Sequence, residues 1–185
     1  MTIIITITTT TITIITTNLL LTQQYPNTGH VYFSFFLKEI DSLEEIPASP
    51  YIVPFIGGAI SSDYMCIVTE FCGCGNLEQW ITTGAAQRTS YSDKFRMIFD
   101  IARGIQAIHK AHVLHRNIKS SNVMLSPPGS AVLCRITDFG LSRNMGTEST
   151  MAATLTKAVG APMYMVCCSG HHEMPFNSGM CVCTC

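Results

Sequence analysis

Positive charge is missing from the first part of the sequence, where no Lys or Arg precedes Lys38. A secretory signal has a cationic start and a leucine-rich centre, whereas residues 2–17 consist only of threonine and isoleucine. The segment is therefore not interpreted as a secretory signal. Charge is also scarce overall, with 12% charged residues and a formal net charge of −1, so the sequence has no basic stripe with which to bind nucleic acid.

The uncharged run at the start leaves two interpretations open. It is long enough to span a membrane, but the contributions of isoleucine and threonine to insertion nearly cancel, and β-branched residues are mediocre helix formers. We therefore predict that residues 1–30 form a low-complexity leader whose main liability is β-aggregation. A membrane span is kept as the alternative.

Two stretches further along carry most of the chemical information. HRNIKSSNVML covers His115–Leu125, ITDFGLSR covers Ile136–Arg143, and SPPGS between them is a hairpin turn signal. Asp138 can bind Mg²⁺ through a carboxylate oxygen, Asn122 can add an amide oxygen, and Lys119 can neutralise charge on a phosphoryl group. A phosphate and its magnesium ions require this set of residue types.

The two stretches resemble the catalytic loop, H-R-D-x-K-x-x-N, and the magnesium loop, D-F-G, of protein kinases. By this resemblance Lys119 is a catalytic residue typical of the Ser/Thr or tyrosine-kinase-like branch, and Asn122 and Asp138 are Mg²⁺ ligands. Asn117 stands where the family has the aspartate that accepts the proton of the substrate hydroxyl. An amide can orient a hydroxyl, but it cannot act as a general base near neutral pH. The resemblance therefore implies a kinase fold, while Asn117 argues against kinase activity.

A helix is predicted over Val31–Ile46, because Phe36, Ile40 and Leu43 recur at helical spacing. Its FLKEI sequence resembles the kinase helix whose glutamate pairs with the lysine that positions ATP, and Glu39 is the matching residue. No Lys or Arg lies upstream to be that lysine, and a Gly-x-Gly-x-x-Gly loop is missing as well. We therefore expect the binding of ATP and Mg²⁺ to be weak or absent.

The next segment, Ile52–Phe71, contains two apolar, β-rich runs separated by turn residues. It resembles the kinase strands that lead into the hinge between the two lobes. By this resemblance Thr69 is the gatekeeper, and the backbone of Glu70 and Cys72 contacts the adenine of the nucleotide. Met124 is assigned to the same nucleotide site.

The sequence has nine cysteines, which could form disulfides in a secreted protein. Four of them lie inside the kinase-like segments, where buried reduced thiols are usual: Cys66, Cys72, Cys74 and Cys134. We therefore interpret the compartment as reducing, which favours the cytoplasm. Cys72 and Cys74 could also be a metal-binding pair, but no second pair accompanies them.

Two more helices are expected before the catalytic loop. Gly75–Ile81 resembles the short helix after the kinase hinge, and a helix over about residues 92–111 resembles the one that delivers the catalytic loop. The predicted apolar face of this second helix comprises Phe95, Ile98, Phe99, Ala102, Ile105 and Ile108. The resemblance also implies a stack that links the lobes, formed by Leu43, Phe55, His115 and Phe139.

Residues 141–159 are rich in Thr and Ser, and by resemblance they form the activation loop, which a phosphate paired with Arg116 would order. GAPMYM, Gly160–Met165, matches the end of this loop. Ala161 there replaces a threonine that in Ser/Thr kinases bonds to the catalytic aspartate. Residues 166–185 are rich in Cys and His without a standard zinc spacing, so we interpret them as an irregular tail, with zinc binding as the alternative.

The sequence as a whole predicts an α+β, kinase-like two-lobe fold over residues 31–165, incomplete at both ends, with its hinge near residues 70–75. The resemblance implies ATP-dependent phosphotransfer to Ser or Thr of a protein substrate, an activity that this chain is expected to have lost. The alternative is a pseudokinase or interaction fragment that binds a protein partner without catalysis.

Overall fold

The computed structural model describes residues 3–6, 19–26, 30–60, 62–126 and 132–144. Its strands are β1 (Ile3–Thr6), β2 (Leu19–Pro26), β3 (Phe55–Ile60), β4 (Tyr64–Glu70), β5 (Val113–Leu114), β6 (Val123–Ser126), β7 (Leu133–Ile136) and β8 (Arg143–Asn144). Its helices are α1 (His30–Glu45), α2 (Leu77–Thr82), α3 (Ala85–Arg88) and α4 (Tyr91–Lys110), with a 3₁₀ turn over Ser120–Asn122. Helices combined with small, mainly antiparallel sheets confirm the predicted α+β class.

The smaller lobe is a four-stranded sheet, in the order β1-β3-β4-β2, packed against α1. Sequence reasoning predicted two strands here, β3 and β4, and this number is wrong. β2 comes from the segment that we assigned to the leader, and it pairs antiparallel with β4 from Leu19 opposite Glu70 to Pro26 opposite Tyr64. The prediction failed because strand pairing satisfies backbone groups whatever the side chains are, so a weakly patterned segment can still complete a sheet edge.

Helix α1 confirms the predicted helix within one residue at each end. Phe36, Ile40 and Leu43 are buried, as their spacing indicated. Phe36 and Ile40 lie so close to β3 that a Cβ added at Gly58 would stand 2.8 Å from Phe36 Cζ and 2.9 Å from Ile40 Cδ1. The helix therefore lies directly on the sheet at this glycine.

Helix α4 spans the predicted range, but the buried face differs from the predicted one. Its buried residues are Met97, Asp100, Gly104 and Ile108, which recur at three- and four-residue steps. In the predicted face Ile108 is buried, but Phe95, Ile98 and Phe99 are 60%, 47% and 62% exposed. Periodicity alone could not decide between the two stripes, because the packing of α4 on β7 selects the one that contains Gly104.

The two lobes are joined by backbone hydrogen bonds between β7 and the loop before β3. The N–H of Ile136 donates to Tyr51 O at 2.9 Å, and the N–H of Val53 donates to Ile136 O at 2.9 Å. At the hinge, the N–H of Cys74 donates to Leu125 O at 3.3 Å. Both connections therefore tie the smaller lobe to the β6–β7 hairpin.

Of the predicted stack between the lobes, the contact between His115 and Phe139 is present. The rings of His115 and Phe139 have centroids 4.7 Å apart. Phe139 and Leu43 belong to one buried cluster, against which Phe55 packs. An apolar core therefore runs from α1 to the residue after Asp138.

Several sequence predictions fall on residues that the structure does not describe. These are the activation loop beyond residue 144, the segment Gly160–Met165, the tail with its zinc alternative, and the turn at residues 127–131. In the described ranges, none of the helices combines the length and apolarity that crossing a membrane requires.

Candidate active site

The cleft between the lobes has two walls. We call α1 with β2, β3 and β4 the roof, and residues 115–126 with residues 133–140 the floor. The floor is held by the β6–β7 hairpin, in which Val123 pairs with Ile136 and Ser126 pairs with Leu133. This pairing brings the end of the catalytic-loop sequence beside the start of the magnesium-loop sequence.

His115 anchors the floor from inside the core. Its Nδ1 accepts a hydrogen bond from the backbone N–H of Asn117 at 3.2 Å, so its proton lies on Nε2, which donates to Thr137 O at 3.1 Å. Burial lowers the pKa of His115 to about 4, although Thr137 O and Asp138 act in the opposite direction. The imidazole is therefore neutral near pH 7, and it supports the loop rather than transferring protons.

Asp138 is the point on which the floor converges. Its Oδ2 accepts a hydrogen bond from Asn117 Nδ2 at 3.0 Å and another from Asn122 Nδ2 at 2.9 Å. The N–H of Gly140 approaches Oδ1 at 3.4 Å. The backbone of Asp138 has φ of 69°, a left-handed conformation that aspartate tolerates better than most residues. Three residues named from the sequence thus meet at one carboxylate.

Asn122 is the buried centre of this network. Its Nδ2 also donates to the backbone O of Asn117 at 2.9 Å, its N–H donates to Lys119 O at 3.0 Å, and its carbonyl accepts from the N–H of Thr137 at 3.0 Å. These bonds fix the catalytic loop to the segment that carries Asp138. Lys119 itself is half-buried, and it makes no ion pair with any residue in the described ranges.

The magnesium ion that the resemblance implies does not fit this arrangement. Mg²⁺ is coordinated by oxygen, usually from one or two carboxylates. Here both Asn117 and Asn122 present amide nitrogen to Asp138 Oδ2, which leaves a single carboxylate already engaged by two N–H donors. The donor set satisfies a carboxylate, whereas a magnesium site would turn the oxygen of Asn122 toward the cation.

The roof lacks a cation at the strand where the kinase resemblance would place one. Glu39 lies on the inner side of α1 and is 4% exposed. The strand β2 occupies the sheet edge beside β4, yet residues 19–26 contain no Lys or Arg. The strand is therefore present without the cation that the kinase resemblance would place opposite Glu39.

The hinge residues are ordered by side-chain contacts of their own. Glu70 binds Arg135 of β7 at 2.7 Å, so its carboxylate bridges the walls of the cleft. Cys72 is buried, and its Sγ accepts a hydrogen bond from Ser126 Oγ at 3.2 Å. The Thr69 hydroxyl is buried and finds no hydrogen-bond partner in the described structure. Met124 lies half-buried on β6, on the floor side.

The cysteines do not form a metal centre in the part of the chain that the structure covers. Cys66, Cys72 and Cys134 are buried free thiols, and Cys74 is exposed. Burial raises the pKa of Cys66, and burial with the nearby charge of Asp100 raises the pKa of Cys134 to about 12. Within the described ranges, no three metal-ligating side chains come together. The pairing of Cys72 with Cys74 as metal ligands therefore gains no support.

Sequence reasoning named Arg116 but missed the charged pocket around it. This pocket of about 710 Å³ is lined by the cations Lys38, Arg116 and Arg143 and by the acids Asp41, Glu44 and Glu45. Arg116 Nε donates to Leu141 O at 2.7 Å, and burial together with the charge of Arg143 lowers the pKa of Arg116. No local sequence pattern indicates this pocket, because its three cations come from three separate segments of the chain.

The known proteins to which this chain is similar are protein kinases, the family that the catalytic-loop and magnesium-loop motifs resemble. The family model for the protein kinase domain matches residues 19–167. The chain is 30% identical over 131 residues to the serine/threonine-protein kinase STE7 homolog of Candida albicans, covering 70% of this chain and 21% of that protein. It is 31% identical over 136 residues to the L-type lectin-domain containing receptor kinase S.7 of Oryza sativa subsp. japonica, covering 70% and 19%.

A third relative, the serine/threonine/tyrosine-protein kinase HT1 of Arabidopsis thaliana, is 31% identical over 118 residues, covering 58% of this chain and 30% of that protein. The chain thus spans less than a third of the length of each of these relatives.

Proposed function

Because the chain belongs to the protein kinase family, we propose that it is a kinase-fold binding protein that transfers phosphate poorly or not at all. Kinases in general use ATP with Mg²⁺ and act on protein substrates. The observation that carries the proposal is the contact between Asn117 Nδ2 and Asp138 Oδ2 at 3.0 Å. At the position of the catalytic base, this chain has a donor that is engaged with the neighbouring carboxylate.

The floor supports the proposal through proton transfer. A substrate hydroxyl becomes a better nucleophile when a base accepts its proton, and an amide has no such capacity near neutral pH. Loss of a general base typically lowers the rate by ~10²- to 10⁴-fold, which corresponds to a barrier about 3 to 5 kcal/mol higher. Lys119 remains available to neutralise phosphate charge, but it cannot replace that base.

The roof supports the proposal through phosphate positioning. Transfer of a phosphoryl group depends mainly on alignment and on electrostatic stabilisation. With a neutral β2 above the cleft, the groups that could hold the γ-phosphate lie on the floor alone: Lys119, Asn122 and Asp138. Misplacement of the phosphate by about 1 Å can cost ~10²-fold in rate.

The first test is nucleotide affinity, measured by calorimetry with Mg·ATP. The hinge backbone can still contact adenine, but the phosphates lack a cation above them. We expect a dissociation constant weaker than the micromolar range, and binding at micromolar strength or better would contradict the proposal.

The second test is transfer of radiolabelled phosphate from ATP to a generic Ser/Thr substrate. We expect no transfer above background from the unaltered chain, and no rescue by Asn117→Asp, because the aspartate restores only the proton acceptor. Asp138→Ala serves as the blank. Activity in the unaltered chain that disappears in the blank would show that Asn117 suffices for catalysis.

A second candidate function is active Ser/Thr phosphotransfer by this chain. It is favoured by Lys119, which keeps the spacing from position 117 seen in the family motif, and by the names of the relatives. The same radiolabel assay decides between the two candidates, since only an active kinase gives transfer that depends on Asp138.

A further inference from the structure

We propose that Asn117 takes the place of a metal ion at Asp138, so that the floor of the cleft closes without a divalent cation. The amides of Asn117 and Asn122 donate to the same oxygen, Oδ2, at 3.0 and 2.9 Å. Hydrogen bonds from N–H groups to a carboxylate are among the stronger ones in proteins. Two of them on one oxygen supply the positive electrostatic environment that a bound cation would otherwise provide.

Because the two amides are buried, their hydrogen bonds to Asp138 matter for the stability of the fold. Asn117 is 8% exposed and Asn122 is 7% exposed, so both donors would be costly to leave unpaired. Asn122 is further restrained by its bond to the backbone O of Asn117 at 2.9 Å. The three side chains therefore form one connected polar network with a single net charge.

The network also sets the position of the neighbouring core residue. Asp138 is followed by Phe139, which is 2% exposed and lies against the His115 ring. The left-handed backbone at Asp138 directs its carboxylate to the two amides while Phe139 enters the core. Asn117 is therefore a positioning residue, because it acts on the fold through Asp138.

An aspartate at position 117 would reverse this effect. It would remove one N–H donor and place a second carboxylate about 3 Å from the first, where like charges repel strongly in a partly buried site. Two carboxylates with the amide oxygen of Asn122 would form a hard-oxygen donor set suited to Mg²⁺ or Mn²⁺. The stability of that variant should depend on a divalent cation, whereas the stability of the unaltered chain should not.

The test is thermal unfolding of the whole chain without nucleotide, in EDTA and in about 10 mM Mg²⁺. We expect the unaltered chain to show the same midpoint in both. Asn117→Asp should unfold about 5 °C lower in EDTA, and Mg²⁺ should recover about 3 °C or more of that loss. The control Asn76→Asp adds the same charge at the N-cap of α2, where Asp also caps well, so it should show neither effect.

A charge-swapped variant keeps the test decisive if Asn117→Asp does not fold in EDTA. Asn117→Asp combined with Asp138→Asn restores one carboxylate and one amide with the direction of donation reversed. It should recover most of the lost midpoint in EDTA and show no response to Mg²⁺. The proposal would be overturned if the swapped variant regained the lost unfolding temperature while Mg²⁺ did not raise that of the single variant. The effect of position 117 would then be independent of a cation.

Two other results would also overturn it. One is an unaltered chain whose midpoint rises with Mg²⁺ as much as that of Asn117→Asp. The other is an Asn117→Asp variant as stable as the unaltered chain in EDTA. The inference builds on the proposed function, but no nucleotide or phosphotransfer enters the measurement, so failure here leaves the absence of catalysis to be judged by the radiolabel assay.

Discussion

The roof and the floor of the cleft are held in place by different kinds of interaction. In the roof, buried apolar side chains such as Phe36 pack against a glycine of the sheet. In the floor, buried amides and an imidazole form hydrogen bonds with a carboxylate and with backbone groups. The family's shape survives in both walls, whereas the charges expected of a kinase are changed in both.

In this chain the residues that give the fold its shape are different from those at the catalytic-loop positions. Apolar packing needs size and spacing, which a strand without charge can satisfy. Reactivity needs a particular atom at a particular point, and one amide in place of one carboxylate changes it. The two walls should therefore respond differently to substitution, and four predictions test this.

The largest effect is expected for Phe36→Ala in the roof. Phe36 is fully buried under β3, so its removal should leave a cavity and cost about 3 to 5 kcal/mol of unfolding free energy. Phe35→Ala is the matched control, because this neighbouring side chain is 49% exposed, and it should cost under about 1 kcal/mol. Denaturant unfolding measures both, and equal losses would mean that α1 packs on a different face.

The next effect is expected for Gly104→Ala beneath the floor. A Cβ there would lie 2.8 Å from both Tyr51 O and Ile136 Cδ1. Alanine normally favours a helix over glycine, yet here we expect a loss of about 1 to 3 kcal/mol, because a bonded carbonyl cannot move away. In Gly73→Ala the nearest atom, on Phe71, is 3.5 Å away, so this control should change stability by about 0.5 kcal/mol or less. A stabilised Gly104→Ala variant would disprove the close approach of α4 to the floor.

A third prediction concerns pH and isolates the floor. The pKa of His115 is about 4 in the folded chain and 6.5 in the unfolded chain, so the unfolded chain takes up the proton first as the pH falls. The contribution of neutral His115 to stability is therefore fully present above the pKa of the unfolded chain, and it is lost as the pH falls toward 4. Between about pH 7 and pH 5 the loss should be about 2 kcal/mol. His115→Gln should flatten this part of the profile. Equal profiles for the unaltered chain and His115→Gln would rule out this histidine as the cause.

The smallest effect is expected for the ion pair that joins the two walls. Glu70→Gln removes the charge that binds Arg135, but the Glu70 side chain is 39% exposed, so the cost should be about 1 kcal/mol or less and should shrink in high salt. Arg96→Gln, which breaks an exposed pair within α4, is the control and should cost less still. A loss that is large and independent of salt would show that the hinge pair is effectively buried.

The elements with strong local patterns were predictable from the sequence. Helix α1 followed from the spacing of Phe36, Ile40 and Leu43, and the β6–β7 hairpin followed from the turn signal SPPGS between the two motif stretches. β2 was not predictable, because its stability comes from an edge of β4 far away in the sequence. The buried face of α4 was predicted incorrectly, since two apolar stripes competed and only the packing partner distinguishes them.

The members of the candidate site could be named from their motifs, but their contacts could not. The motif places Asn122 and Asp138 as ligands of one ion, and the structure shows an amide nitrogen directed at a carboxylate. Which atom of an amide faces its neighbour depends on every donor and acceptor around it, and a sequence motif does not specify that arrangement. The cluster of Lys38, Arg116 and Arg143 was missed for a similar reason, because its members meet only in three dimensions.

The bonded contact between Ile136 and the loop before β3 has a mechanical consequence. Residues 51–53 are tied to β7 through both the N–H and the carbonyl of Ile136, and prolines at positions 47, 50 and 54 restrict the chain on either side. These bonds and the fixed φ of the prolines leave the loop little freedom to bend, so we expect it to stay with the β6–β7 hairpin. The other connection is also bonded to this hairpin, since the N–H of Leu125 donates to Gly75 O at 2.8 Å, but it contains glycines at 73 and 75, and the backbone of Gly75 has φ of 75°. We therefore expect bending between the lobes to occur at these glycines rather than in residues 51–53.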